Sequence, residues 1–242
     1  MVMKNTWQKS VADKFRWLVK NLLQTLFRVN VKGQYEPDDN SVIIANRTSV
    51  MDVMFLSVFL PERLSVVLPP KLYKKLWVKA LALFAEVIPV DPTKASAARA
   101  LIRAIKQGKR CLIFPQGLNT QPDHNLRVFD GPGMIIQKAG GSVQPVRISG
   151  LEYSIFSITK GKHPIRLFPK VDLHIMPKVY FCEDDARSRP VSRQLFNLLA
   201  EMSFANCNVR QSLFSALIEG AKIGRKNKAR IEDANRTPMS YR

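Results

Sequence analysis

The stretch Asn46-Arg47-Thr48-Ser49-Val50-Met51-Asp52 places a guanidinium and a carboxylate five positions apart, directly after the apolar run Val42-Ile43-Ile44-Ala45. Polar residues at the exit of a buried strand are where α/β proteins build their sites. Arg47 offers five donors, accepts no hydrogen bond and stays protonated at neutral pH. Two uses are open to it: holding a phosphate or carboxylate in bidentate fashion, or pairing with Asp52 and locking the pocket. Asp52 begins the next apolar segment, so it reads either as a site carboxylate or as an acid placed at the positive end of a helix. Downstream, Cys111-Leu112-Ile113-Phe114-Pro115-Gln116-Gly117-Leu118 repeats the layout, an apolar run followed by a polar turn. The polar member there, Gln116, is uncharged.

The elements that must position these residues follow from the apolar pattern. Strands are expected at 42–45, 64–68, 86–90, 110–114, 143–148 and 171–176. Helices are expected at 50–60, 71–84, 94–107, 131–139 and 191–206. Pro92-Thr93 opens the helix at 94–107 and Gly108 is placed to end it. Repeated β-α units argue for a largely parallel central sheet covered by helices on both faces. Residues 6–28 form an amphipathic helix whose stripe is Trp7, Val11, Phe15, Leu18, Leu22 and Leu26, with Lys9, Lys14, Arg16, Lys20 and Arg28 on the other faces. It fits a membrane interface or the cap of a core equally well. The chain therefore divides into an N-terminal amphipathic helix at 1–30, a domain at 31–207 and a basic tail or linker at 208–242, rich in Lys222, Arg225, Lys226, Lys228 and Arg230.

These blocks resemble the glycerolipid acyltransferase family, whose first motif is N-H-x-x-x-x-D and whose third is F-P-E-G-T/R. Order and spacing agree, as does the strand fragment Gln144-Pro145-Val146-Arg147-Ile148, similar to the family's fourth motif. The likeness runs from about Val42 to about Met176. A closer likeness is to the acyltransferase half of bifunctional 2-acylglycerophosphoethanolamine acyltransferase/acyl-carrier-protein synthetases. It is carried by Leu60-Pro61, Val87-Ile88-Pro89-Val90-Asp91-Pro92-Thr93, Asp130-Gly131-Pro132-Gly133 and Thr159-Lys160-Gly161.

The resemblance implies a glycerol-3-phosphate acyltransferase-like fold and an acyl transfer from acyl carrier protein or coenzyme A to a lysophospholipid, with no other cofactor and no metal. In the family the motif His is the base and the motif Asp orients it, so Arg47 and Asp52 occupy the catalytic positions. Asn46, Phe114, Pro115, Gln116, Gly117 and Leu118 occupy the substrate-binding ones. Three positions depart from the pattern. Arg47 stands where the family has the base, and loss of general base catalysis costs about 10²–10⁴ in rate. Gln116 stands where the family has Glu, and Leu118 where the closer relatives have an Arg that helps bind the acceptor's phosphate. His124, in the loop after the third motif, is the one alternative base with a positional argument, although a loop histidine is usually solvated. The expected result is an impaired enzyme or a non-catalytic lipid-binding protein on the same scaffold.

Composition sets the partners. The chain has 242 residues, 38 Lys+Arg against 19 Asp+Glu and a formal charge of +19, which draws anionic surfaces. No uncharged apolar run approaches the roughly 20 residues that span a bilayer, and no secretory signal is visible. A peripheral place on the cytoplasmic face of the inner membrane is expected, with an acyl carrier protein or an acyl-ACP synthetase as further partners. No nucleic-acid-binding motif accompanies the charge. Cys111, Cys182 and Cys207 fit reduced thiols, and they share no metal-ligand spacing with His124, His163 or His174.

Overall fold

Short runs of β-branched and aliphatic residues become the central strands of one sheet, and two shorter, more polar segments, Asn30–Lys32 and Val179–Tyr180, join it. In order they are β1 (Asn30–Lys32), β2 (Val42–Ala45), β3 (Leu64–Leu68), β4 (Ala85–Pro89), β5 (Arg110–Ile113), β6 (Ser142–Ser149), β7 (Asp172–Ile175) and β8 (Val179–Tyr180). The helices are α1 (Val2–Phe27), α2 (Asp52–Phe59), α3 (Leu76–Leu81), α4 (Ala95–Lys106), α5 (Asp130–Ala139) and α6 (Val191–Phe204). This computed structural model describes residues 2–204 apart from 37, 39, 69, 71–75, 92–93, 116–129, 140–141, 159–163 and 182–190, and beyond them 229–231 and 239–240. In the separate C-terminal unit, Asn206–Arg242, the strands β9 (Ala229–Ile231) and β10 (Met239–Ser240) pair antiparallel.

The sheet order is β1-β7-β6-β2-β5-β3-β4, with β8 added against β6. Pairs β2–β5, β2–β6, β3–β5, β3–β4 and β1–β7 are parallel, while β7 and β8 run antiparallel to β6. The sheet is thus largely parallel, as the repeated β-α pattern predicts. Strands buried on both faces need apolar residues at every position, and Val42, Ile43, Ile44 and Ala45 are all fully buried.

Alternation of side chains sends residues to two cores. On one face Ile43, Ala45, Leu112, Val146 and Ile148 pack with α2, the inner side of α1 and the α3 residues Val78 and Leu81. On the other, Val42, Ile44, Cys111, Ile113 and Val143 pack with Leu101 and Ile105 of α4, Ile136 of α5 and Leu195 and Leu199 of α6. Helices therefore cover both faces. Burial pushes the Cys111 thiol up to about 12, which makes it an inert core residue.

The N-terminal helix is turned differently from the sequence-derived stripe. Leu23 and Phe27 are buried and Val19 packs beside them, whereas Leu18, Leu22 and Leu26 are exposed; Phe15 is part-exposed but stacks on the buried Phe84 ring at 5.7 Å. Trp7 and Val11 lie among side chains outside the described set. Arg16 explains the rotation. Its guanidinium reaches under the helix and donates to the carbonyls of Val58, Leu60 and Pro61 at the end of α2. A cation suits the negative end of a helix, so this arginine anchors the inner face instead of marking the outer one.

Candidate functional site

Because β2 lies between β5 and β6, in register at Ile44–Ile113 and Ala45–Val146, the two polar blocks leave the sheet side by side. This is the carboxyl end of the parallel strands, where α/β sheets open a crevice.

Asn46 is the first residue past β2. Its side-chain amide donates to the carbonyl of Ile148 at 2.8 Å, and its carbonyl accepts from the Ile148 N–H at 2.8 Å. The side chain thus extends the ladder between β2 and β6 by one rung. Asn46 positions the loop, with both ends of its amide engaged on backbone.

Asp52 sits at the start of α2 with no exposed surface. The N–H groups of Thr48 and Ser49 donate to its Oδ2 at 2.6 and 2.8 Å, and the Thr48 hydroxyl donates to Oδ1 at 3.1 Å. The carboxylate therefore holds the turn that carries Arg47. Burial pushes the carboxyl up to about 7, against the opposing pull of the Ser49 and Thr48 hydrogen bonds and, last, the charge of Arg47. Desolvation wins because the group has lost all contact with water.

Arg47 is largely withdrawn from solvent, and that burial pulls its pKa below the ordinary guanidinium value while Asp52 pulls it back. Its Cζ lies 5.6 Å from the centre of the Phe114 ring. A guanidinium over an aromatic face in a desolvated place gains about 2 kcal/mol. This contact joins the first block to the third. Phe114 is half-buried and Pro115 buried. Gln116, Gly117, Leu118 and His124 lie outside the described residues, as do Cys182, Cys207 and His163. His174 is in β7, opposite Arg147 and away from Asp52 in the topology.

Three features of the site carry no motif. Thr48 and Ser49, at four and three positions before Asp52, supply its hydrogen bonds. That spacing is a usable signal, since such residues hydrogen-bond neighbouring backbone and acids in turns. The third is the segment 151–158, which straps the loop from outside. Ser49 Oγ and Val50 N–H both donate to the Phe156 carbonyl, at 3.0 and 3.3 Å, and the Ile158 N–H donates to the Thr48 carbonyl at 3.0 Å. Among the described residues, no group of His, Cys, Asp or Glu is arranged to hold a metal.

The arrangement can present one half-buried cation and an aromatic face to an anionic ligand. An arginine cannot take a proton from a hydroxyl, and the Asp52 oxygens already face Thr48 and Ser49.

Comparison with known proteins bears on what this site was built for. The family model described as Acyltransferase matches residues 28–149, half of the chain. The fold is similar to the crystal structure of the 1-acyl-sn-glycerophosphate (LPA) acyltransferase PlsC from Thermotoga maritima, with a TM-score of 0.54 and 21% identity over 86% of this chain and 90% of that one. The matched residues contain both polar blocks and the strands that carry them.

Proposed function

Since the chain belongs to the acyltransferase family, we propose that its inherited reaction is acyl transfer from acyl-ACP or acyl-CoA to a lysophospholipid such as 2-acylglycerophosphoethanolamine, and that Arg47 leaves this reaction severely impaired. The observation that carries the reading is the place of Arg47. It occupies the base position of the motif, on a turn held by Asp52, against the Phe114 ring.

Acyl transfer from a thioester requires the acceptor hydroxyl to lose its proton as the oxygen attacks the carbonyl carbon. The tetrahedral oxyanion then collapses and the thiol leaves. A histidine at position 47 would be oriented by Asp52 and would take that proton. Arg47 offers only donors, so it stabilises negative charge without moving a proton. Gln116 and Leu118 stand where the resembling family has a Glu and an Arg, so the third block carries neither of those charges.

A second reading is favoured by the half-buried guanidinium beside the Phe114 ring: a non-catalytic protein that holds a lipid's phosphate at Arg47 on an anionic membrane. The basic composition supports a peripheral place on the cytoplasmic face of the inner membrane, and no described helix is long and apolar enough to cross one. Under the acyl-transfer reading, the basic composition suits an acidic acyl carrier protein as donor, and an acyl-ACP synthetase would supply that donor. The acyltransferase half of a bifunctional enzyme is the finer placement we favour within the family.

The test is thioester consumption with lysophosphatidylethanolamine as acceptor, comparing the natural chain with Arg47→His and with Arg47→His/Gln116→Glu/Leu118→Arg. Negligible turnover by the natural chain and a gain on restoring the base support the impaired enzyme. Phosphate-dependent lipid binding without any gain supports the second reading.

A further inference from the structure

We infer that the segments 155–156 and 165–168 form a membrane-docking ridge beside the Arg47 loop, and that its occupant is the surface of an anionic lipid bilayer. This rests on the lipid-directed reading above and adds to it which face meets the membrane and how the site is turned towards it.

The sequence 155–170 contains Lys160, Lys162, Arg166 and Lys170 and no acidic residue, interleaved with large apolar side chains. In the fold, those side chains point out. Phe156 is 44% exposed, Ile165 64%, Leu167 60% and Phe168 41%. Isolated exposed apolar residues are ordinary, but a connected group of them marks an interaction surface.

The group is connected to the site at one end and to the N-terminal helix at the other. Phe156 accepts the hydrogen bonds that strap Ser49 and Val50. Arg166 N–H donates to the Tyr153 carbonyl at 2.7 Å, tying 165–168 to the same strap. Phe168 packs edge-on against Phe27 at 5.5 Å between ring centres, and its carbonyl accepts from Arg28. Gly150 holds the turn at a positive φ of 103°, and a Cβ there would lie 1.9 Å from the Lys170 carbonyl. The two segments are thus braced on the core, and the exposed side chains are carried on a fixed platform.

Exposed apolar side chains with the exposed Arg166 and Lys170 in the same segment suit an interface of acyl chains and anionic headgroups, where burial and charge attraction add. Charge complementarity favours lipid over a second copy of this basic chain, whose surface would repel. A lysolipid in that membrane would meet the Arg47 loop without leaving the interface.

The experiment is sedimentation of the full chain with phosphatidylglycerol/phosphatidylethanolamine vesicles, set against phosphatidylcholine vesicles, for the natural protein and for Ile165→Ser/Leu167→Ser. Both positions are exposed, so folding should be kept, and circular dichroism checks this. The double variant is expected to bind anionic vesicles about tenfold or more weakly. Amide hydrogen exchange on the natural protein provides the second readout: residues 164–170 should gain protection on anionic vesicles and much less on neutral ones. Unchanged affinity in the double variant, or no protection at 164–170, overturns the inference. So does light scattering that shows the ridge holding two copies together in the absence of lipid. Acyl transfer is a separate readout, so a chain that docks through this ridge but shows no gain on Arg47→His contradicts the proposed function and leaves the ridge standing.

Discussion

Two aspartates at opposite ends of the parallel strands are handled in opposite ways. Asp38 lies ahead of β2, partly exposed, where Lys178 and the Tyr180 hydroxyl bond its two oxygens and its backbone N–H donates to Ser41 Oγ. Those partners hold its carboxyl below the ordinary value. Asp52 lies after β2, fully buried, bonded by the turn it organises, and pushed up to about 7. Asp38 is a charge placed where water and a cation still reach it. Asp52 is a charge kept where hydrogen bonds do not fully replace water. The first arrangement secures a loop at little cost, while the second stores an unfavourable ionisation at the place where chemistry is expected.

The sharpest contrast should appear on truncation. Asp52→Ala leaves the Thr48 and Ser49 N–H groups without their acceptor, which should cost about 2–4 kcal/mol in urea unfolding. A loss under about 0.5 kcal/mol would mean water replaces the carboxylate freely.

The pH dependence should separate the two residues by sign. A folded pKa above the unfolded one means that the folded state binds the extra proton. Asp52 therefore favours folding at low pH, and stability falls as pH rises from about 4 to about 7, by at most about 1.4 kcal/mol per unit. Asp52→Asn should remove that slope relative to the natural chain, read as the difference in unfolding free energy at each pH. Asp38 has the opposite sign: its contribution is present above its unfolded value and lost as pH falls through its lowered folded value. A natural-minus-variant difference in unfolding free energy that rises with pH between about 4 and about 7 would contradict the assignment.

The smallest effect belongs to Asp38→Asn. An ion pair in reach of water contributes little, and salt should erase it. A larger, salt-insensitive loss would show that the two ends are more alike than the geometry implies.

How much was legible in sequence depended on whether a residue's neighbours in the chain were also its neighbours in space. Val42–Ala45 and Leu64–Leu68 were readable to the residue, because continuous apolar runs bounded by polar turns are what a buried parallel strand requires. Asn30–Lys32, with one apolar residue at a sheet edge, and Val179–Tyr180, two residues long, offered no such run. On α1, adjacent apolar pairs such as Leu22 and Leu23, or Leu26 and Phe27, support two stripes with the same period. Period alone cannot choose between them, and a reading that puts Arg16 on an outer face takes the wrong one. Only the carbonyls at the end of α2 reveal why it belongs there. The same limit holds at the site. The motif spacing brings out Arg47 and Asp52, but the Phe114 contact and the 151–158 strap depend on which strands lie side by side.

The central claim is that a residue unable to accept a proton occupies the base position of an otherwise intact turn. It is tested most directly by measuring steady-state acylation of lysophosphatidylethanolamine from acyl-ACP or acyl-CoA by the pure natural chain and by Arg47→His. The account predicts near-background turnover for the former and a gain of about 10²–10⁴ for the latter. Vigorous turnover by the natural chain, unchanged or lowered by Arg47→His, would contradict it.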